Sequence, residues 1–253
     1  GRDEVGELSQ AFNHMGESLQ QAEALRRDMT ADIAHELRNP LSVMQARVEA
    51  VIDGVYPPTA EHLQPVLEQT RLLSRLVEDL RTLALADAGQ LALDRQEIDL
   101  AGVVGRTVAG YQAQAQAAGL ELRVHLAGDV RVQADPGRIE QVIGNLLSNA
   151  MRHTPPGSAV EVTLERHANR ARLEVADGGE GIPAEALPNV FERFYRADRS
   201  RSRQAGGSGL GLAISRQLIL AHGGSITAAN RQQGGALFSI ELPLSGSAGP
   251  SHG

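Results

Sequence analysis

The stretch DIAHELRNPL, residues 32–41, sets a histidine, a carboxylate, a carboxamide and a proline close together as His35, Glu36, Asn39 and Pro40. A neutral imidazole is a nucleophile near neutral pH because its unperturbed pKa is about 6.5. Glu36 directly follows His35 and is a candidate to hydrogen-bond a ring nitrogen and take up the proton released as the imidazole attacks. Asn39, four residues on, shares the helical face of His35, where a carboxamide can hold a water beside whatever His35 carries. Pro40 removes a helix hydrogen bond and crowds the carbonyl of Glu36, so a kink is expected beside the reactive group. By itself the stretch fits an inert surface histidine equally well.

A second set of candidates lies downstream. In NLLSNAMRH, Asn145 and Asn149 are four apart and share a face, which suits carboxamide oxygens directed at one magnesium ion that also holds phosphate oxygens. Arg152 follows at a spacing that can meet a phosphate. In ADGGEGIP, Asp177 follows an alternating stretch and precedes Gly178, Gly179 and Gly181. Glycines permit close backbone approach, and a buried aspartate there can accept a hydrogen bond from an adenine amino group. FERFYR holds three of the chain's seven aromatic residues beside Arg196, as a hinge, a docking patch or plain core filling. GGSGLGLAI sets Gly207, Ser208, Gly209, Leu210 and Gly211 at the mouth of an apolar helix, whose first backbone N–H groups can bind phosphate. No glycine-lysine-serine or glycine-lysine-threonine follows, so the loop is not of the Walker type. Taken singly, these signals are weak; asparagine pairs often decorate helix surfaces.

Such groups need rigid carriers. Around the histidine, residues 25–52 read as a helix, with Ala34, Leu37, Leu41, Met44, Val48 and Val51 in alternating steps of three and four, a heptad seam. His35 falls one residue past the seam, beside the core and exposed. Asp53, Gly54, Pro57 and Pro58 break the helix. A second helix, about 59–88, repeats the seam with Leu63, Val66, Thr70, Leu73, Val77, Leu80 and Ala84, Thr59 serving as its N-cap and Gly89 closing it. The short turn makes the pair antiparallel. Two such hairpins bury their seams as a four-helix bundle, so a homodimer through residues 25–88 is expected. Beyond residue 91 the pattern changes. Residues 121–126, 160–165 and 171–175 alternate as strands, residues 100–118, 136–152 and 212–222 read as helices, and a final strand pair ends at Leu244. That is an α+β domain over residues 91–244, followed by a flexible tail, 245–253.

Composition narrows the function. A length of 253 residues with 42% hydrophobic and 22% charged residues suits a globular chain of two modules and an N-terminal piece. There is no apolar run of about 18 residues and no signal-like start. The absence of cysteine excludes disulfides and thiolate metal sites. A net charge of −7 argues against nucleic acid as a partner. All 24 basic residues are arginine, so a planar fork stands wherever a relative would use lysine.

Taken together and in this order, the motifs resemble those of sensor histidine kinases of two-component systems. The resemblance covers nearly the whole chain. It implies that residues 32–41 are the phospho-acceptor box, with His35 phosphorylated, Glu36 as base and Asn39 in the position associated with phosphatase action. It implies an α/β-sandwich ATP-binding domain of the histidine kinase, gyrase and chaperone type, with ATP and Mg2+ as cofactors. Asn149 is then the magnesium ligand and Asn145 part of the same phosphate and metal network. Arg152 and Arg196 face phosphate, and His153 neighbours the nucleotide. Asp177, Gly179 and Gly181 bind the base, and residues 207–211 form the closing glycine loop. Relatives usually have asparagine where this chain has Gly178, which implies a looser loop or somewhat weaker nucleotide binding, and residues 197–207 read as a mobile lid. Residues 1–24, with Asp3, Glu4, Gly6, Phe12, Asn13 and Met15, resemble the end of a HAMP linker, which implies a cytoplasmic fragment of a longer inner-membrane protein. The implied partners are a second copy and the receiver domain of a response regulator. Two other readings remain at this point: an adaptor that binds nucleotide but transfers little phosphate, and a mechanical ATPase related to gyrase. The histidine helix and the short chain disfavour the latter.

Overall fold

A computed structural model of the chain describes residues 2–196 and 208–246; among side chains before Thr30 it describes only a few. The expected lid, Gly207 included, and residues 247–253 of the expected tail therefore lie outside the described residues, while Ser245 N–H donates to the Arg131 carbonyl at 2.8 Å. Compactness divides the chain into Gly1–Glu78 and Asp79–Gly253.

The first unit is a helical hairpin. Helix α1, Arg2–Ile52, passes through Pro40 without ending, and α2, Ala60–Asp87, begins the return. Their antiparallel packing shows in contacts that climb away from the turn. Tyr56 stacks on His62 with ring centroids 4.6 Å apart. The Arg47 guanidinium lies 5.8 Å from the Tyr56 ring centre. Thr70 Oγ1 reaches Met44 Sδ at 3.3 Å. Both helices end on the same device. Val55 N–H reaches back to the Ala50 carbonyl and Gln90 N–H to that of Leu85, around Gly54 at φ 72° and Gly89 at φ 63°. Only a residue without a Cβ takes that conformation at no steric cost.

The second unit carries a five-stranded sheet with helices against it. Its elements are β1 (Gln96–Asp99), α3 (Leu100–Ala117), β2 (Glu121–Leu126), β3 (Arg131–Ala134), α4 (Pro136–His153), β4 (Ala159–His167), β5 (Arg170–Ala176), α5 (Gly211–Ala221), β6 (Ser225–Asn230) and β7 (Ala236–Pro243). The main sheet runs β2-β4-β5-β7-β6, parallel only between β2 and β4. One face is apolar: Val160, Val162, Leu164, Leu173, Val175, Phe238 and Ile240 are buried, alternating with residues such as Glu161, Arg172, Glu174 and Glu241. That alternation is what a half-buried sheet requires. The pair β1–β3 is an addition that the sequence reading lacks. Four-residue strands are too short to show an alternation.

Helix α4 is organised so that one stripe is core and the next carries candidate site residues. Ile139, Val142, Ile143, Leu146, Leu147, Ala150 and Met151 are buried, a three-and-four spacing that turns Asn145, Asn149 and Arg152 away from the core. Asp135 caps the helix by accepting from Arg138 N–H at 3.1 Å, and Pro136 occupies its first turn. The start of α4 is also braced to the end of α5. Asp135 N–H donates to His222 Nε2 at 3.0 Å, while the Nδ1 side of that ring faces the Leu218 carbonyl at 2.7 Å. These partners fix His222 as the neutral tautomer protonated at Nδ1.

Candidate functional site

In the first unit, His35 and Asn39 are exposed, Glu36 is half-buried and Pro40 is buried. The exposure of His35 follows from its place one residue past the seam. No hydrogen bond joins His35 to Glu36 among the described residues. The helix explains this, because adjacent residues do not face each other. Asn39 shares the face of His35.

The second unit brings together groups from α4, the loop after β5, the loop before α5 and the β6–β7 turn. Asp177 is its buried centre, only 2% exposed. Its Oδ1 accepts from Gly179 N–H at 2.9 Å and Ala236 N–H at 3.0 Å. Those two bonds fix the carboxylate's orientation and hold it to one oxygen, so Oδ2 is the atom available to a ligand. Gly179 is packed so closely that a Cβ there would lie 2.3 Å from the His153 carbonyl. At Gly235, φ 86°, a Cβ would fall 1.9 Å from the Asp177 carbonyl. Both positions require glycine.

Asn145 is tied to α5. Its Nδ2 donates to the Gly211 carbonyl at 3.0 Å and lies 3.4 Å from Ser215 Oγ. The amide nitrogen thus anchors the first turn of α5, and the expected metal-network role is left to the oxygen alone. Asn149 is half-buried and makes no hydrogen bond among the described residues, so its carboxamide oxygen suits a hard cation. Arg152 has its pKa lowered, first by desolvation and then by the like charge of Arg196. The positive charge of Arg196 is thus felt at Arg152, and like charges placed so suit an anion. His153 has an exposed surface, yet desolvation first and Arg152 second lower its pKa, with Asp177 opposing.

The stems flanking residues 197–207 meet. Phe194, in the left-handed region at φ 57°, donates its N–H to the Gly209 carbonyl at 3.1 Å. A Cβ on Gly209, φ 70°, would lie 2.9 Å from the Phe194 Cα. Phe191 meets Phe238 edge-on, and Arg193 ion-pairs with Asp87 at the end of α2. Ser208 Oγ lies 3.4 Å from the Leu210 N–H, and Leu210 is fully buried.

The structure thus assembles Asn145, Asn149, Arg152, His153, Asp177, Gly179, Gly181, Arg196 and residues 208–211 in one domain, and holds His35, Glu36 and Asn39 on α1. The sequence reading missed Asn230, Gly235, Ala236 and Ser215. A paired glycine in NRQQGG was the one signal of a turn near the site. A Cβ at Gly178 would come within 3.2 Å of Ser158 Cβ, and the loop around it is fastened at Asp177, Gly179 and Ile182.

Comparison with known proteins gives a consistent answer. Residues 25–89 match the His Kinase A (phospho-acceptor) domain, and residues 134–246 match the histidine kinase-, DNA gyrase B- and HSP90-like ATPase family. The signal transduction histidine-protein kinase BaeS of Escherichia coli K12 is 38% identical over 242 residues, covering 96% of this chain and 52% of BaeS. The chain spans about half the length of the curated relatives it matches. Among solved structures, the Acinetobacter baumannii histidine kinase AdeS superposes with a TM-score of 0.71 at 32% identity, over 83% of this chain and 98% of that one. The histidine kinase ThkA, solved in complex with the response regulator protein TrrA, gives 0.67 at 27% identity, over 85% and 61% of the two chains. No helix among the described residues is long and apolar enough to cross a membrane.

Proposed function

This chain belongs to the sensor histidine kinases of two-component systems, and from that premise we propose that it is an ATP-dependent protein kinase acting on its own His35. The observation that carries the reading is Asp177. It is a buried carboxylate with one oxygen held by two backbone N–H groups and the other left for an adenine amino group. Arg152 and Arg196 are assigned to the phosphates. Asn149, with the oxygen of Asn145, fits Mg2+, which keeps few protein ligands and shares phosphate oxygens. When bound, that ion supplies charge neutralisation for phosphoryl transfer.

In the proposed reaction, an imidazole nitrogen of His35 forms a bond to the γ-phosphorus as the bond to the β,γ-bridging oxygen breaks and ADP leaves. Glu36 accepts the ring proton, once the transfer complex turns the two side chains toward each other. Catalysis is mainly positioning and electrostatics. The phosphoryl group then passes to an aspartate of a receiver domain, a role supported by the ThkA–TrrA complex. Asn39, exposed and one turn from His35, is assigned to orient water against the regulator's phospho-aspartate.

We assign residues 1–24 to the end of a HAMP linker, 25–88 to dimerisation and phospho-acceptance, 91–244 to catalysis and 245–253 to a tail. A homodimer is supported by the seam, since Leu41, Val48, Leu63 and Val77 are exposed in the single chain. The linker and the half-length match to the relatives support a cytoplasmic portion of a longer membrane protein.

The test is a time course with γ-labelled ATP and magnesium beside His35→Gln. Acid-labile, alkali-stable label on the wild type alone is expected, with ATP binding kept in the variant. Label retained on His35→Gln would overturn the assignment.

A further inference from the structure

The glycine loop is gripped by a side chain that neither the motifs nor the reaction assigns. Asn230 ends β6 and pairs with Ile182, the residue after Gly181. The Ile182 N–H donates to Asn230 Oδ1 at 2.7 Å, and Asn230 Nδ2 donates to the Ile182 carbonyl at 2.6 Å. The carboxamide's orientation is fixed by its partner, because a peptide N–H only donates and a carbonyl only accepts. Gly181 sits beneath it at φ 82°, where a Cβ would lie 2.9 Å from Asn230 Oδ1. The same hairpin holds the other end of the loop, through Ala236 N–H to Asp177 Oδ1 and through Gly235 packed on the Asp177 carbonyl. The β6–β7 turn therefore fastens residues 177–182 at entry and at exit. Between the two points Gly178 has no side chain with which to fasten anything.

We propose that Asn230 is a positioning residue for the nucleotide. By locking Ile182 it holds the loop in the form that presents Asp177 Oδ2 and the Gly179–Gly181 backbone to the base. This inference rests on the nucleotide-binding reading given above. Asn230 touches no reacting atom, so its removal weakens ATP binding and leaves the transfer step alone.

The experiment measures initial rates of His35 labelling against ATP concentration, ADP affinity by calorimetry, and melting temperature. The proteins are the wild type, Asn230→Ala, Asn230→Asp and Gln232→Ala. For Asn230→Ala, the KM for ATP is expected to rise about tenfold and ADP affinity to fall in step, with kcat within about twofold, as loss of two loop hydrogen bonds partly replaced by water implies. Asn230→Asp keeps the acceptor for the Ile182 N–H but sets an oxygen against the Ile182 carbonyl, so it does not restore affinity. Gln232→Ala, exposed in the same turn, behaves as wild type. An unchanged KM in Asn230→Ala, a fall in kcat at constant KM, or a lower melting temperature with wild-type nucleotide affinity would each overturn the inference alone. A wild type that binds no ADP and takes no label would overturn the nucleotide-binding reading and this inference with it.

Discussion

The hairpin and the nucleotide domain handle polar chemistry in opposite ways. On α1 the proposed acceptor stands in the open: His35 and Asn39 are exposed and Glu36 is half-buried. In the second unit several of the groups proposed to meet a nucleotide are placed by others. Asp177 is oriented by two backbone donors, Asn145 is tied to α5, and Ile182 is locked by Asn230. The apolar surfaces differ in the same sense. The domain buries its own core, whereas the hairpin exposes Leu41 at 56% and Val77 at 57%. One region holds its candidate site in a core of its own; the other exposes apolar surface beside the proposed acceptor. An acceptor that must meet both a nucleotide and a receiver domain has to be accessible, and a site that discriminates a purine has to be preorganised.

Three perturbations probe that contrast. The largest effect is expected at Asp177. Asp177→Ala removes the base acceptor and orphans the N–H groups of Gly179 and Ala236, so ADP affinity measured by calorimetry should fall by about a hundredfold or more, the scale of a site stripped of its specific buried partner. A loss below about tenfold would mean that the carboxylate's second oxygen is not the recognition group.

Next comes the seam. Leu63→Glu combined with Val77→Glu should convert a dimer to a monomer in sedimentation or light scattering. Each buried apolar side chain contributes about 1.5–3 kcal/mol, and a charge reverses the contribution. ADP affinity should be unchanged in the same protein, because the second unit buries its own core. A dimer that survives both charges would move the interface elsewhere.

The smallest effect is a pH dependence from His222, which is 3% exposed. Its pKa is lowered, first by burial and further by Arg95, against the raising contributions of the Leu218 carbonyl and Asp135. The neutral ring is therefore the form the fold prefers. The stability tied to it is complete above the unfolded value of about 6.5 and is lost as pH falls below it through the folded value. Thermal unfolding at pH 7.5 and 5.5 should show a larger drop for the wild type than for His222→Gln, on the order of 1 kcal/mol for each hydrogen bond at stake. Equal drops would remove His222 as the source.

The predictions rest on a site that was only partly readable beforehand. His35 with Asn39, and Asn145 with Asn149, were legible because a helix converts a spacing of four into a shared face. Asp177 was legible as the acid that follows an alternating strand and leads into glycines. Asn230 was not, since its partner Ile182 lies 48 residues away and a lone asparagine at a strand end has no period to betray it. The β1–β3 pair was hidden for a related reason, being four residues long.

What the amino-acid sequence determined by itself is everything whose geometry is local. That includes the two seams and their glycine caps, the exposure of His35, and the shared face of Asn145 and Asn149. Only the tertiary structure decided which distant groups meet: Asp177 with Ala236, Asn230 with Ile182, and Asp135 with His222. The physical reason is that hydrogen bonds and charges act through space. A helix or strand fixes where a side chain points, but the pairing of β7 with β5 and β6 fixes what it points at.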